Sequence, residues 1–285
     1  MRKCRVLAPS AAFAISLAAA PATAQDESSG AKPGEGREGV EKEAETVAAN
    51  VAERPANEGR VGEMHFRLVN EAGAERTREA LMVHSDTGDV VKLGIFFTSP
   101  AAIRDTGFLS HDEGEGADEN WLFLPAIERV RRLPSADRAD YFMGTDLTYG
   151  DISDDFKFEP EQWRFSGGET VSRDGVAYAT LNGEAVSAEA IAENGYSRFE
   201  ALVDTTTWFP VLTTYHDAEG EALKRVEVLE QERIGGAWTA MRFVAKNLQS
   251  GHTTYIHFED MRYVPDLDEE ILEPDALEYG VPVID

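Results

Sequence analysis

The chain has 285 residues and a formal net charge of −26, from 53 acids against 27 lysines and arginines, with one cysteine. A surface of that sign repels nucleic acid and anionic lipid head groups, and a lone cysteine excludes disulfide staples and thiolate metal clusters. The length suffices for one large β domain, so stability must come from burial.

Arg2, Lys3 and Arg5 precede a largely apolar, small-residue run, and Ala22-Thr23-Ala24 supplies an A-x-A cleavage pattern. This predicts a signal peptide over 1–24, cleaved after Ala24, and an exported chain with no transmembrane segment once it leaves. Cys4 goes with the signal. Residues 25–39, rich in Glu, Gly, Ser and Lys without bulky apolar residues, read as a disordered tether. A single domain over 40–285 follows. It opens with a helix from Val40 to Ala52, whose face of Val40, Ala44, Val47, Ala48 and Val51 is too small to cover much of a sheet.

Strand patterns then hardly stop. Met64, Phe66 and Leu68 alternate with Glu63, His65 and Arg67, which gives one dry face and one wet one. Arg76–His84 and Val90–Thr98 follow across the turn at Asp86–Asp89. In the second, Val91, Leu93, Ile95 and Phe97 face one way and Phe96 the other. An irregular piece from Ile103 to Ser110 leads into an acidic loop, His111–Asn120, which lacks the ligand spacing of a calcium loop and reads as a surface loop.

The stretch Trp121–Ile152 concentrates bulky apolar, aromatic and basic residues. Trp121–Leu124 is a short apolar run of the doubly buried kind, ended by Pro125. In Ala126–Leu133, Arg129 and Arg131 share one strand face while Arg132 joins Val130 on the other. Seven further strands are expected between Trp163 and Tyr263, separated by turn dipeptides such as Gly167-Gly168, Asn182-Gly183 and Gly235-Gly236. Only Ala188–Asn194 and Asp268–Tyr279 offer further helices.

About a dozen antiparallel strands exceed what stays open without curling, and three short helices cannot cover their dry face. The fold class is therefore mainly β: either a closed barrel, or a large curved antiparallel sheet forming an unclosed half-barrel with a few short helices on its concave side. Both create a lipid-sized cavity.

Reaction signatures are missing. There is no G-x-S-x-G, H-E-x-x-H, phosphate loop or dinucleotide fingerprint. The six histidines are scattered and give no local metal pair. Asp146, Asp151, Asp154 and Asp155 follow an aromatic segment, as a glycosidase's paired carboxylates would, but adjacency is expected in so acidic a chain. Asp146 reads instead as a turn residue or a partner of Arg129 or Arg131. No catalytic residue, metal or cofactor is expected. The apolar wall is assigned to Phe66, Leu93, Phe97, Phe108, Trp121, Phe123, Phe142 and Met143. Arg129, Arg131, Asp146 and Asp151 are placed at the rim as head-group or ion-pair residues. On this reading Phe123→Asp abolishes lipid binding without unfolding the protein.

The order FF-x-x-P-x-x-I (Phe96–Ile103), W-L-F-L-P-A-x-x-R-V-R-R (Trp121–Arg132), F-M-G-T-D-L-T-Y-x-D (Phe142–Asp151) and D-T-x-T-W-F-P (Asp204–Pro210) resembles the outer membrane lipoprotein-sorting family, the LolA-like periplasmic proteins. Lys224 and G-x-W-T (Gly236–Thr239) are similar too. The resemblance implies an open half-barrel with helices inside, and a periplasmic, non-enzymatic carrier of lipoprotein acyl chains or lipid. Its partners would include an inner-membrane exporter and an outer-membrane acceptor. A filled-core accessory module of an envelope exporter is the competing expectation.

Overall fold

The structure is a computed structural model that describes residues 35–114, 118–173 and 175–284, with side chains from 42 onward. The expected signal peptide and most of the expected tether lie outside the described residues. The first helix, α1, runs Glu35–Ala52 and so begins inside the expected tether. Thirteen strands follow: β1 (Gly59–Val69), β2 (Glu75–Asp86), β3 (Val91–Ser99), β4 (Gly107–Asp112), β5 (Glu119–Leu124), β6 (Arg129–Leu133), β7 (Trp163–Arg173), β8 (Val176–Ala185), β9 (Arg198–Asp204), β10 (Pro210–His216), β11 (Ala222–Ile234), β12 (Ala237–Asn247) and β13 (Thr253–Tyr263). Two short helices interrupt them, α2 (Tyr149–Ser153) and α3 (Ala188–Asn194). Among the described residues no helix is long and apolar enough to cross a membrane.

All thirteen strands form one antiparallel sheet in the order β6-β5-β4-β3-β2-β1-β13-β12-β11-β10-β9-β8-β7. The pairing of β1 with β13 joins the two ends of the chain at the sheet's middle. The two free edges, β6 and β7, are consecutive in sequence, so residues 134–162 must cross the gap where a barrel would have closed. Each edge is blunted against further pairing. β6 is short and reads RVRRL. β7 is overlaid by α1, and a Cβ at Gly168 would come within 2.8 Å of the Glu43 backbone, so only glycine permits that approach.

The inner face carries two clusters. Met64 and Phe66 of β1, Met82 of β2, Ile95 and Phe97 of β3 and Phe108 of β4 anchor the first. The second sets Ala44, Val47, Ala48 and Val51 of α1 against Trp163, Leu181 and Phe199. Gly183 leaves room for the Phe199 ring, which a Cβ there would meet at 2.3 Å.

The outer face carries a third cluster, in which Val61, Val83, Phe96, Leu109 and Phe123 are buried under Leu272 and Leu277. Those leucines belong to two 3-10 turns, Glu269–Leu272 and Pro274–Tyr279, in place of the expected C-terminal helix. These turns lie outside the sheet, whereas the helical material of residues 135–153 lies inside it.

Candidate functional site

Residues 134–162 fill the concavity and determine what it can hold. The segment begins with the 3-10 turns Ser135–Ala139 and Phe142–Gly144 and continues into α2. Its underside is apolar: Phe142, Leu147, Tyr149 and Ile152 are buried in the first inner cluster, with Phe156 packed beside them. Phe142 is fully buried at its centre, with ring centroids 5.4 Å from Phe108, 5.9 Å from Phe97, 6.4 Å from Phe66 and 5.3 Å from Tyr149. Met143 at φ 47° with Gly144 at φ 72°, and Asp155 at φ 44° with Phe156 at φ 62°, put left-handed pairs on both sides of α2. Non-glycine residues adopt that region only when their surroundings hold them there.

What holds them is a set of polar latches. Thr148 and Asp151 form a reciprocal capping box at the start of α2, with Thr148 N–H donating to Asp151 at 2.6 Å and Asp151 N–H to Thr148 at 3.1 Å. The Asp151 carboxylate also accepts from Tyr196 Oη at 3.0 Å and from Lys224 Nζ. Lys224 is wholly buried, with its ammonium over the Tyr196 and Tyr215 rings at 4.6 and 5.0 Å. Burial pushes the Lys224 ammonium below its ordinary range, opposed by Asp151, and pushes both tyrosines well above theirs.

Asp146 is buried, accepts from Thr254 Oγ1 at 2.7 Å and lies 2.6 Å from His252 Nδ1. Its expected partners, Arg129 and Arg131, are not involved. Arg78 donates to the Met143 carbonyl. Buried Arg138 donates to Asp118 and, at 2.7 Å, to Asp154, and lies 3.6 Å from Glu159. Asp118, expected in a surface loop, is thus tied to the crossing segment. Three carboxylates share one guanidinium here. Burial and the charge of Asp118 push Glu159 up to about 7 despite Arg138, and burial likewise raises Asp154.

Between this segment and the sheet lies a cavity of about 90 Å³. Met82, Leu93, Ile95 and Phe243 supply apolar wall, and Arg60, His84 and Asp155 make one polar end. Arg60 and His84 face each other across β1 and β2 on the inner side. Arg60 donates to Asp155 at 2.6 Å, and Arg54 to the Asp155 carbonyl at 2.7 Å. Although burial works against it, Arg60 holds the Asp155 carboxyl down at about 2. Burial, reinforced by Arg60, lowers His84 to about 3, so it is neutral at physiological pH. An engineered apolar cavity of roughly 150 Å³ admits one benzene. A volume of 90 Å³ is therefore too small for an acyl chain while the segment stays in place.

The structure divides the sequence-derived wall. Phe66, Leu93, Phe97, Phe108 and Phe142 meet on the inner side, with Met143 packed against them. Trp121 and Phe123 do not join them. The register pairs Phe108 with Leu122, Leu109 with Trp121 and Gly107 with Phe123, so the residue of β5 that faces inward is Leu122. Trp121 and Phe123 pack on the outer face under Leu277, because the C-terminal turns create a second dry surface there. Phe123→Asp therefore strikes that outer cluster, not the inner wall.

Arg129 and Arg131 share the inner side with Leu122 on the exposed edge strand, and neither has an ion-pair partner among the described residues. Arg132, on the other face, pairs with Glu119. Arg129 and Arg131 thus lie exposed on a free edge of the sheet. Asp151 is instead a buried latch beneath the segment.

Sequence reasoning gave no site role to Lys224, Tyr196, Arg60, His84 or Arg138. For three of these the signal was present. Arg60 continues the Met64-Phe66-Leu68 alternation backward, His84 continues Ala80-Met82, and Lys224 precedes Val226 and Val228. A charged or polar residue in a dry register implies a buried partner. Arg138 sits on an irregular segment with no period to mark it.

Residues 90–279, more than half of the chain, match a family model described as an uncharacterized protein. No curated protein matches the chain. Among solved structures, a putative outer membrane lipoprotein-sorting protein domain from Vibrio parahaemolyticus is 25% identical with a TM-score of 0.74, over 85% of this chain and 99% of that one. A DUF1329 family protein from Desulfovibrio piger is 22% identical with a TM-score of 0.75, over 84% and 99%. A LolA superfamily protein from Nitrosomonas europaea is 18% identical with a TM-score of 0.61, over 82% and 98%. The match over residues 90–279 makes the chain a member of the family described as an uncharacterized protein, and its open sheet crossed by an inner segment has the fold of these lipoprotein-sorting, DUF1329 and LolA superfamily neighbours.

Proposed function

We propose that this protein is an exported, non-enzymatic carrier that binds acyl chains of lipids or lipoproteins on the inner face of its open sheet, and that residues 134–162 are the lid that must leave for cargo to enter. The observation that carries the reading is the apolar underside of that segment, which occupies the concavity as a hydrocarbon chain would. Each large apolar side chain buried is worth ~2 kcal/mol, so Phe142, Leu147, Tyr149, Ile152 and Phe156 together hold the lid with roughly 10 kcal/mol. An acyl chain of about a dozen methylenes, at ~0.8 kcal/mol each, brings about the same. One chain therefore only balances the lid, and a cargo with two chains displaces it. The likeness to a putative lipoprotein-sorting domain supports this choice of cargo.

In this reading the exposed Arg129 and Arg131 meet an anionic head group at the open edge, and the cleaved signal places the protein in the periplasm. Cargo would pass from an inner-membrane exporter to an outer-membrane acceptor. The filled concavity also favours a second reading, a docking module of an envelope exporter whose segment 134–162 never opens. The two part on one measurement. A fluorescent two-chain phospholipid is expected to bind and to raise hydrogen exchange across 134–162, whereas a fluorescent single-chain fatty acid binds weakly. Absence of two-chain binding, with 134–162 protected throughout, rejects the carrier.

A further inference from the structure

His65 and His257, far apart in sequence, are direct cross-strand partners where β1 meets β13. Both point to the outer face, away from the lid and cavity. Their rings stack at 4.8 Å between centroids and 13° between planes. Glu63 and Glu259 are opposed in the same register, one step along the same face. Two carboxylates directly opposite each other repel, and the sequence makes no local concession to that. The Glu259 carboxylate turns one oxygen toward each imidazole, 3.3 Å from His257 Nε2 and 3.9 Å from His65 Nε2. Glu63 lies 3.7 Å from His65 Nε2. His65 Nε2 is buried and has no hydrogen-bond partner. The flanking groups in register are Glu79 on β2, opposite His65, and Arg242 on β12, opposite His257. Arg242 is drawn toward Glu230, 3.5 Å away.

A cation resolves both anomalies at once: it neutralises the facing carboxylates and takes the unused imidazole lone pair. One ligand atom from each of His65, His257 and Glu259 can be chosen so that all lie within 4.8 Å of one another. With bonds of about 2.0–2.2 Å, the ligand atoms of a tetrahedral zinc stand about 3.4 Å apart, so side-chain rotation alone closes the site. We infer that His65, His257 and Glu259, with Glu63 as fourth ligand, bind a divalent transition-metal ion. Two imidazoles and two carboxylates suit zinc(II) or copper(II) over magnesium or calcium. The ion would clip β1 to β13, the pairing that joins the two halves of the sheet, in a chain with no disulfide to do so.

Zinc chloride titrated into the metal-free protein at neutral pH tests this, followed by calorimetry and by thermal melting. Expected are one zinc ion per chain, a raised melting midpoint, and at least a tenfold loss of affinity in each of His65→Ala, His257→Ala and Glu259→Gln. His257 and Glu259 are exposed and His65 partly so, and circular dichroism checks that each variant folds. Zinc binding unchanged in both histidine variants overturns the assignment and moves the ion elsewhere, as to Asp118, Asp154 and Glu159. No zinc binding by the folded parent chain also overturns it. That result leaves a stacked histidine pair beside Glu259 in place of a metal site.

Discussion

Phe142→Ala separates a lid from a core residue by the sign of its effect on lipid binding. Phe142 is fully buried among four aromatic rings, and truncating such a side chain costs about 3–5 kcal/mol. If the ring is buried only while the segment is closed, that cost falls on the closed state alone. The lid then opens more readily and affinity for a two-chain lipid rises by up to the same amount, about 100-fold for 3 kcal/mol. Phe97→Ala is the control. Phe97 is equally buried but belongs to β3, so it lines the wall with the lid open or closed. Its truncation lowers stability similarly and weakens lipid binding. The assay is equilibrium binding of a fluorescent two-chain phospholipid to both variants, with folding checked by thermal melting. Should Phe142→Ala bind no more tightly than the parent, the segment is core and not lid, and the exchange argument fails.

Lys224→Met leaves Asp151 buried beside tyrosines without its cation, and a broken buried pair costs about 3–5 kcal/mol. Much of that loss in melting stability should return in Lys224→Met combined with Asp151→Asn. Glu159 is raised to about 7 from 4.5, so the folded state holds the extra proton between those values. Stability gained from it is full below about pH 4.5 and lost as pH rises through 7, an effect reduced by water because the side chain is 39% exposed. Glu159→Gln should flatten that part of the stability profile in urea unfolding. Replacing Arg129 and Arg131 by Ala, on an exposed edge, should leave stability within about 0.5 kcal/mol. The same change should weaken binding of anionic two-chain lipids more than of zwitterionic ones.

Period-two alternation, turn dipeptides and the shortage of helix were enough to read a large curved antiparallel sheet from the residues alone, while its staying open rather than closing into a barrel came from the family resemblance. Those signals are local: each strand announces its own wet and dry faces, and a sheet of that width must curl. That Phe66, Leu93, Phe97 and Phe108 belong to dry strand faces was legible for the same reason. What the alternation could not convey was which dry face belonged to which side. Trp121 and Phe123 are as apolar as Phe108, and only the docking of Leu272 and Leu277 against the outer face shows that they serve a different cluster.

Nor could local pattern place residues 134–162. That segment has no period, and its position follows from a topology in which β6 and β7, neighbours in sequence, end as opposite edges. The latches depend on the same long-range arrangement. Lys224 and Asp151, Arg138 and Asp118, and His65 and His257 are distant in the chain, so no spacing rule joins them. Sequence determined the surface this protein would build. Tertiary structure decided what closes over it, because burying a charge requires a partner that only folding brings near.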